Sequence, residues 1–183
     1  TLKAGTGGSV DFQGAIGGTL PIGAVVIESA NNVDFDSTVV VESLTQSQGI
    51  GQTVFRGDVT ISATGATTGF NVTTAGSVTL GDDGDVNGAD DLAGDGTPNG
   101  ITVTTTGDNV RFNAAVNLVG GAASSVSVGG GNITFESTLN GGEIFSLNST
   151  GTTSLRGLVG GAVPLTSLAT DAGGTTQVNG GGV

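Results

Sequence analysis

Residues 108–159, reading DNVRFNAAVNLVGGAASSVSVGGGNITFESTLNGGEIFSLNSTGTTSLRGLV, repeat residues 8–59 at a constant offset of 100, without a gap. Val110, Phe112 and Val116 answer Val10, Phe12 and Ile16. Ile133, Phe135 and Leu139 answer Val33, Phe35 and Val39, and Thr153, Arg156, Gly157 and Val159 answer Thr53, Arg56, Gly57 and Val59. The reused unit is an apolar or Thr residue, any residue, then Phe or Leu, with a further apolar residue four places on. A fixed period marks a stacked architecture, in which each unit covers only the apolar faces of its neighbours.

Working outward, the anchor residues are Phe12, Phe35, Phe55, Leu80, Phe112, Phe135, Leu155 and Val178, at spacings of 23, 20, 25, 32, 23, 20 and 23 residues. In a strand, residues two apart share a face. The residue two before each anchor should therefore point inward with it: Val10, Val33, Thr53, Val78, Val110, Ile133, Thr153 and Thr176. All are β-branched, as packed strands prefer. Gly17-Gly18, Asn140-Gly141 and Gly160-Gly161 lie between them and allow tight corners. The expected fold is all-β, a parallel β-solenoid of about eight rungs of 20–25 residues. Rungs stacked at about 4.8 Å would make a rod roughly 38 Å long. An antiparallel sandwich explains the alternation but not the ungapped offset.

Composition agrees. The chain has 36 glycines and 4% aromatic residues in 183 residues, abundant Thr, Val, Asn and Ser, and 36% hydrophobic residues. It is poor material for helices and too apolar for disorder. Its length suggests about one domain, a single segment over 1–183. Sixteen carboxylates against Lys3, Arg56, Arg111 and Arg156 give a net charge of −12, which opposes nucleic acid and anionic membrane as partners. There is no cysteine to form a disulfide, and no apolar run nears the roughly 18 residues that span a bilayer. The residue after the anchor should face out. There Asp36 precedes Arg56 by one rung and Glu136 precedes Arg156, so one ion pair is expected twice.

The long spacing contains an acidic stretch, 81–100, expected to be an insertion or widened rung. Asp83, Asp85, Asn87 and Gly88 match the first half of a calcium loop, with Asp91 at its ninth position, but Gly94 stands where a bidentate Glu belongs. Calcium is the one cofactor the residues suggest, and a solvated acidic corner is the competing reading. The absence of His, Cys, Tyr and Trp removes histidine bases, thiolate nucleophiles and aromatic sugar platforms, so no enzyme is expected. Asp34 with Asp36 resembles a glycosidase pair only in spacing, and the cation nearest the acidic stretch in sequence, Arg111, falls on a strand. Asn71, Asn132 and Asn148 open formal glycosylation triplets. Thr102, Thr104 and Thr106 form an alternating array on one rung. Phe70 and Phe145, outside the anchors, should fill core beside them.

Gly5–Gly18, GTGGSVDFQGAIGG, and Gly151–Gly181, GTTSLRGLVGGAVPLTSLATDAGGTTQVNGG, resemble the repeats of very large bacterial surface proteins of the filamentous-haemagglutinin-like type. The resemblance implies a right-handed β-helix, export to the cell surface, and a role in adhesion or as a fibrous stalk. Thr1–Gly5 reads as the tail of an earlier unit, and Gly182-Val183 falls where another apolar position is due. The expectation is a building block of an extracellular fibre, its rungs continuing through flanking repeats of the same chain or by stacking of identical chains. The alternative is a calcium-stabilised adhesin module that binds a surface receptor or glycan.

Overall fold

Small and β-branched side chains separated by glycine corners leave the backbone one economical solution, in which short strands pair with the copy of themselves one turn later. The computed structural model, which describes residues 1–63, 69–81 and 99–180, has this form. Every strand ladder among the described residues is parallel, and no described residue is helical. The strands stack into three sheets, called A, B and C in the order the chain visits them. Sheet A has eight strands, and the chain makes about seven turns as a β-solenoid.

In sheet A, Leu2, Ile27, Gln46, Val72, Phe112, Phe135, Leu155 and Val178 lie side by side on successive turns. In sheet B the sequence is Phe12, Phe35, Phe55, Leu80 and Leu118. In sheet C it is Val39, Val59, Val103, Val126, Leu147 and Thr170. The inward residues of all three sheets form one continuous buried core, from Ile27 to Val159.

The anchors do not form one column. Phe12, Phe35, Phe55 and Leu80 climb sheet B, whereas Phe112, Phe135, Leu155 and Val178 climb sheet A. The neighbour of Phe112 on the turn below is Val72, and that of Leu80 on the turn above is Leu118. Among the described residues the chain passes from Leu80 through one strand of sheet C to Phe112 in sheet A, so these two anchors stand two-thirds of a turn apart, and residues 82–98 lie between them in sequence. The offset of 100 is therefore three and two-thirds turns. The second copy of the repeat is built on a different face of the same coil.

Glycine acts at two kinds of corner. Gly17 and Gly141 have φ of 85° and 134°, which a side chain disfavours. Gly57 and Gly157, repeat mates that follow Arg56 and Arg156, have ordinary φ but sit against the backbone of the turn below. A Cβ on Gly57 would lie 2.5 Å from the carbonyl carbon of Ser37.

Candidate functional site

The interior is organised by phenylalanine. All seven in the chain are joined ring to ring. Phe12, Phe35 and Phe55 stack nearly parallel up sheet B with centroids 4.7 Å apart, the spacing the strands impose. Phe55 then meets Phe70 at 5.6 Å and 47°, and Phe70 meets Phe112 at 5.2 Å and 56°. Phe112 stacks on Phe135 at 4.8 Å, and Phe135 meets Phe145 of sheet C edge-on at 6.0 Å. Phe70 and Phe145 are thus the rings that carry the run from one sheet to the next. They lie outside the anchor series because a crossing between sheets does not occur on every turn.

Of the eight anchors, Phe35, Phe55, Leu80, Phe112, Phe135 and Leu155 are fully buried, Phe12 is half-buried, and Val178 is 43% exposed on the last turn. Gln46 stands inward in the sheet A row between Ile27 and Val72, a place the apolar pattern does not anticipate. Its Oε1 accepts from Thr53 Oγ1 at 2.9 Å, and its Nε2 is buried without a partner. Asp108 is wholly buried, and neither of its carboxylate oxygens has a hydrogen-bond partner.

Outside, polar side chains tie each turn to the next. Arg56 donates to Asp36 at 3.1 Å and also to Asp34. Its repeat mate Arg156 reaches both oxygens of Glu136 at 3.0 Å. Both expected pairs form, in unlike surroundings: the Arg56 side chain is 5% exposed and that of Arg156 is 52%. Burial pushes the Asp34 carboxyl up to about 6, against the pull of Arg56 and with a smaller push from Asp36. The spacing that resembled a glycosidase pair is thus a cation clasp, with both carboxylates engaged by one guanidinium. Arg111 also reaches Glu136, and its Nε donates to Asn113. Asn113 in turn donates to Asn71 and Thr73, so one polar chain crosses four turns of sheet A. Asn113 carried no signal in the sequence and Asn71 only that of a glycosylation triplet, because an outward Asn is common in such a chain until its register is known.

A second clasp is duplicated. Asn32 Oδ1 accepts from the Gln52 amide at 3.0 Å, and Asn132 Oδ1 accepts from the Thr152 amide at 2.7 Å. Of the glycosylation triplets, Asn71 and Asn132 thus have their side-chain oxygens in use, while Asn148 is exposed. Beyond the alternating threonines the outer rows continue as other small polar residues. Thr102 is followed by Ser125 and Ser146, and Thr104 by Ser127 and Asn148, on successive turns of sheet C. Thr106 turns aside to donate to the Ala63 carbonyl.

The calcium candidates Asp83, Asp85, Asn87 and Asp91 lie outside the described residues. Among the described residues no three acidic, His or Cys side chains gather as a metal site. The first and last turns leave apolar side chains open: Leu2, Leu20 and Ile22 at one end, and Val178 at the other. Beside Val178's end, Val159, Gly160, Pro164, Leu165 and Leu168 line a hollow of about 370 Å³. No family model, curated protein or solved structure matches the chain.

Proposed function

We propose that this chain is a structural building block of an extended extracellular fibre, in which further rungs continue the stack from both ends. The observation that carries the reading is the contrast between inner and terminal turns. The inward anchors Phe35, Phe55, Leu80, Phe112, Phe135 and Leu155 are sealed, while Phe12 at one end is half-buried and the four residues Thr175–Val178 at the other are all exposed. Sheet edges with open backbone and apolar side chains are covered in stable solenoids by caps or by more rungs. Parallel strands at every face supply continuous backbone hydrogen bonding along the axis, and the phenylalanine run supplies a core that another turn extends. The resemblance of its repeats to those of filamentous-haemagglutinin-like proteins is what favours a bacterial cell surface for such a fibre.

Rungs can be added covalently or by heterologous stacking of identical chains, a contact that propagates openly. Electron microscopy of the purified chain beside its denatured mass tests this. Fibres from a chain of 17.5 kDa identify a self-stacking subunit, and fibres from a much heavier chain identify a repeat window. Monodisperse short particles that stay so on concentration would overturn the fibre.

A further inference from the structure

The outer face of sheet B carries a shallow groove of about 390 Å³ that neither the fibre core nor the arginine clasps use. Its floor is a row of Thr79, Asn117 and Asn140, neighbours on three successive turns. Gln52 and Ser77 lie alongside, and Val163 lines it too, 49% exposed. We propose that this groove binds a neutral oligosaccharide laid along the solenoid axis, about one sugar per turn.

Three observations carry this. The first is unmet hydrogen-bonding capacity. Thr79 and Asn140 are only 6% and 8% exposed. Yet the Thr79 hydroxyl and the Asn117 amide make no hydrogen bond to any described residue, and Asn140 uses only its Oδ1, accepting from the Ala162 amide at 3.0 Å. None of these atoms is sealed from solvent, so the hydroxyls of a ligand can take the place of water on them. The second is the kind of group. Hydroxyl and carboxamide side chains each offer both donor and acceptor, as sugar hydroxyls do. No charged side chain lines the groove, and a chain of net charge −12 repels uronate or sulfated polymers. The third is the state of the backbone. Thr79 is paired on both sides, with Val54 and Asn117, and Asn117 with Thr79 and Asn140, so at these two turns no strand edge is open for a peptide to extend the sheet. Recognition falls to side chains repeating at the strand spacing of about 4.8 Å, close to the length of a pyranose ring. Val163 offers apolar contact for a ring face.

The test is NMR titration of the full chain with neutral hexasaccharides, β-1,4-linked glucose, α-1,4-linked glucose and β-1,4-linked N-acetylglucosamine, with an oligogalacturonate of equal length as the charged control. At least one neutral sugar should shift the side-chain amide resonances of Asn117 and Asn140 and the backbone amide of Thr79, and the uronate should not. Asn117→Ala should weaken binding about tenfold, the effect of one lost hydrogen bond. Asn117→Gln should lose less, and Asn148→Ala, on sheet C, should lose nothing. The backbone spectrum of each variant shows that it is folded. No shift with any neutral sugar up to about 10 mM, shifts confined to other faces, equal binding of the uronate, or unchanged affinity in Asn117→Ala would each overturn the proposal.

Discussion

Phe70→Ala is the sharpest test of how the core is joined. Phe70 is fully buried in sheet A, held between Phe55 of sheet B and Phe112 of sheet A at 5.6 and 5.2 Å. Truncation removes a buried ring and leaves a cavity that rigid neighbouring turns cannot collapse, a loss of about 3–5 kcal/mol. Any buried phenylalanine predicts that much, so the discriminating quantity is coupling. If Phe70 hands the aromatic run from one sheet to the other, Phe55→Ala and Phe70→Ala should be non-additive by about 0.5–1.5 kcal/mol, the worth of a tilted ring pair beyond its area. With neither Trp nor Tyr in the chain, unfolding is followed in urea by far-UV circular dichroism. Hydrogen exchange then shows which turns open, because a stacked repeat can unfold in parts. Coupling below about 0.3 kcal/mol, with both single variants well folded, would refute the hand-over.

The two arginine clasps should respond differently although the sequence repeats them. Arg56→Ala leaves Asp34 and Asp36 without their guanidinium and should cost about 3–5 kcal/mol, whereas the exposed Arg156→Ala should cost about 0–1 kcal/mol; equal losses in urea melts would contradict the burial contrast. Because burial raises the Asp34 carboxyl from its ordinary 3.8 to about 6, the folded chain holds that proton more tightly than the unfolded one. Stability should therefore rise as pH falls from about 6 to about 4, and Asp34→Asn should remove that rise from melts across this window, leaving only the part due to general charge. Gly157→Ala places a Cβ against the Ser137 backbone at a corner that cannot open without unstacking two turns, and should cost about 1–3 kcal/mol. Gly130→Ala, which meets open space at ordinary φ, should be neutral or should stabilise by up to about 1 kcal/mol, both read as thermal midpoints.

How much of this was legible in the sequence depends on what a strand pattern encodes. Alternation between Val33 and Phe35, or Ile133 and Phe135, states which side chains point inward, and the spacings of 20–25 residues state which residue meets which on the next turn, as the spacing of 32 does not. Both are local, and both recur in the register. Neither states which face of a three-sided coil a strand occupies, because the same inward pair serves sheets A, B and C equally well. The move of the anchors from sheet B to sheet A was therefore invisible, and with it the roles of Phe70 and Phe145. The groove was hidden for a related reason. Thr79, Asn117 and Asn140 are unremarkable outward residues until the register sets them side by side.

The fractional offset also governs what a longer stack would look like. A repeat of a whole number of turns would place every copy's clasp on one side and give the rod a charged stripe. Here the Arg56 clasp belongs to sheet B and the Arg156 clasp to sheet A, because three and two-thirds turns separate them. A third copy at the same offset would place its clasp on sheet C, and three copies would restore the starting face after eleven turns. Such an arrangement spreads the inter-turn salt links evenly around the axis, so that no single face carries all the electrostatic register between rungs. It also confines any one lateral groove to a short length of the rod, since the outward row of each sheet changes character from copy to copy. Sheet B illustrates this within the described residues: its outer row begins with the carboxylates Asp11 and Asp34 and passes through Val54 to the neutral Thr79, Asn117 and Asn140. A fibre built this way is uniform inside, where Phe stacks on Phe, and varied outside, where recognition would have to occur.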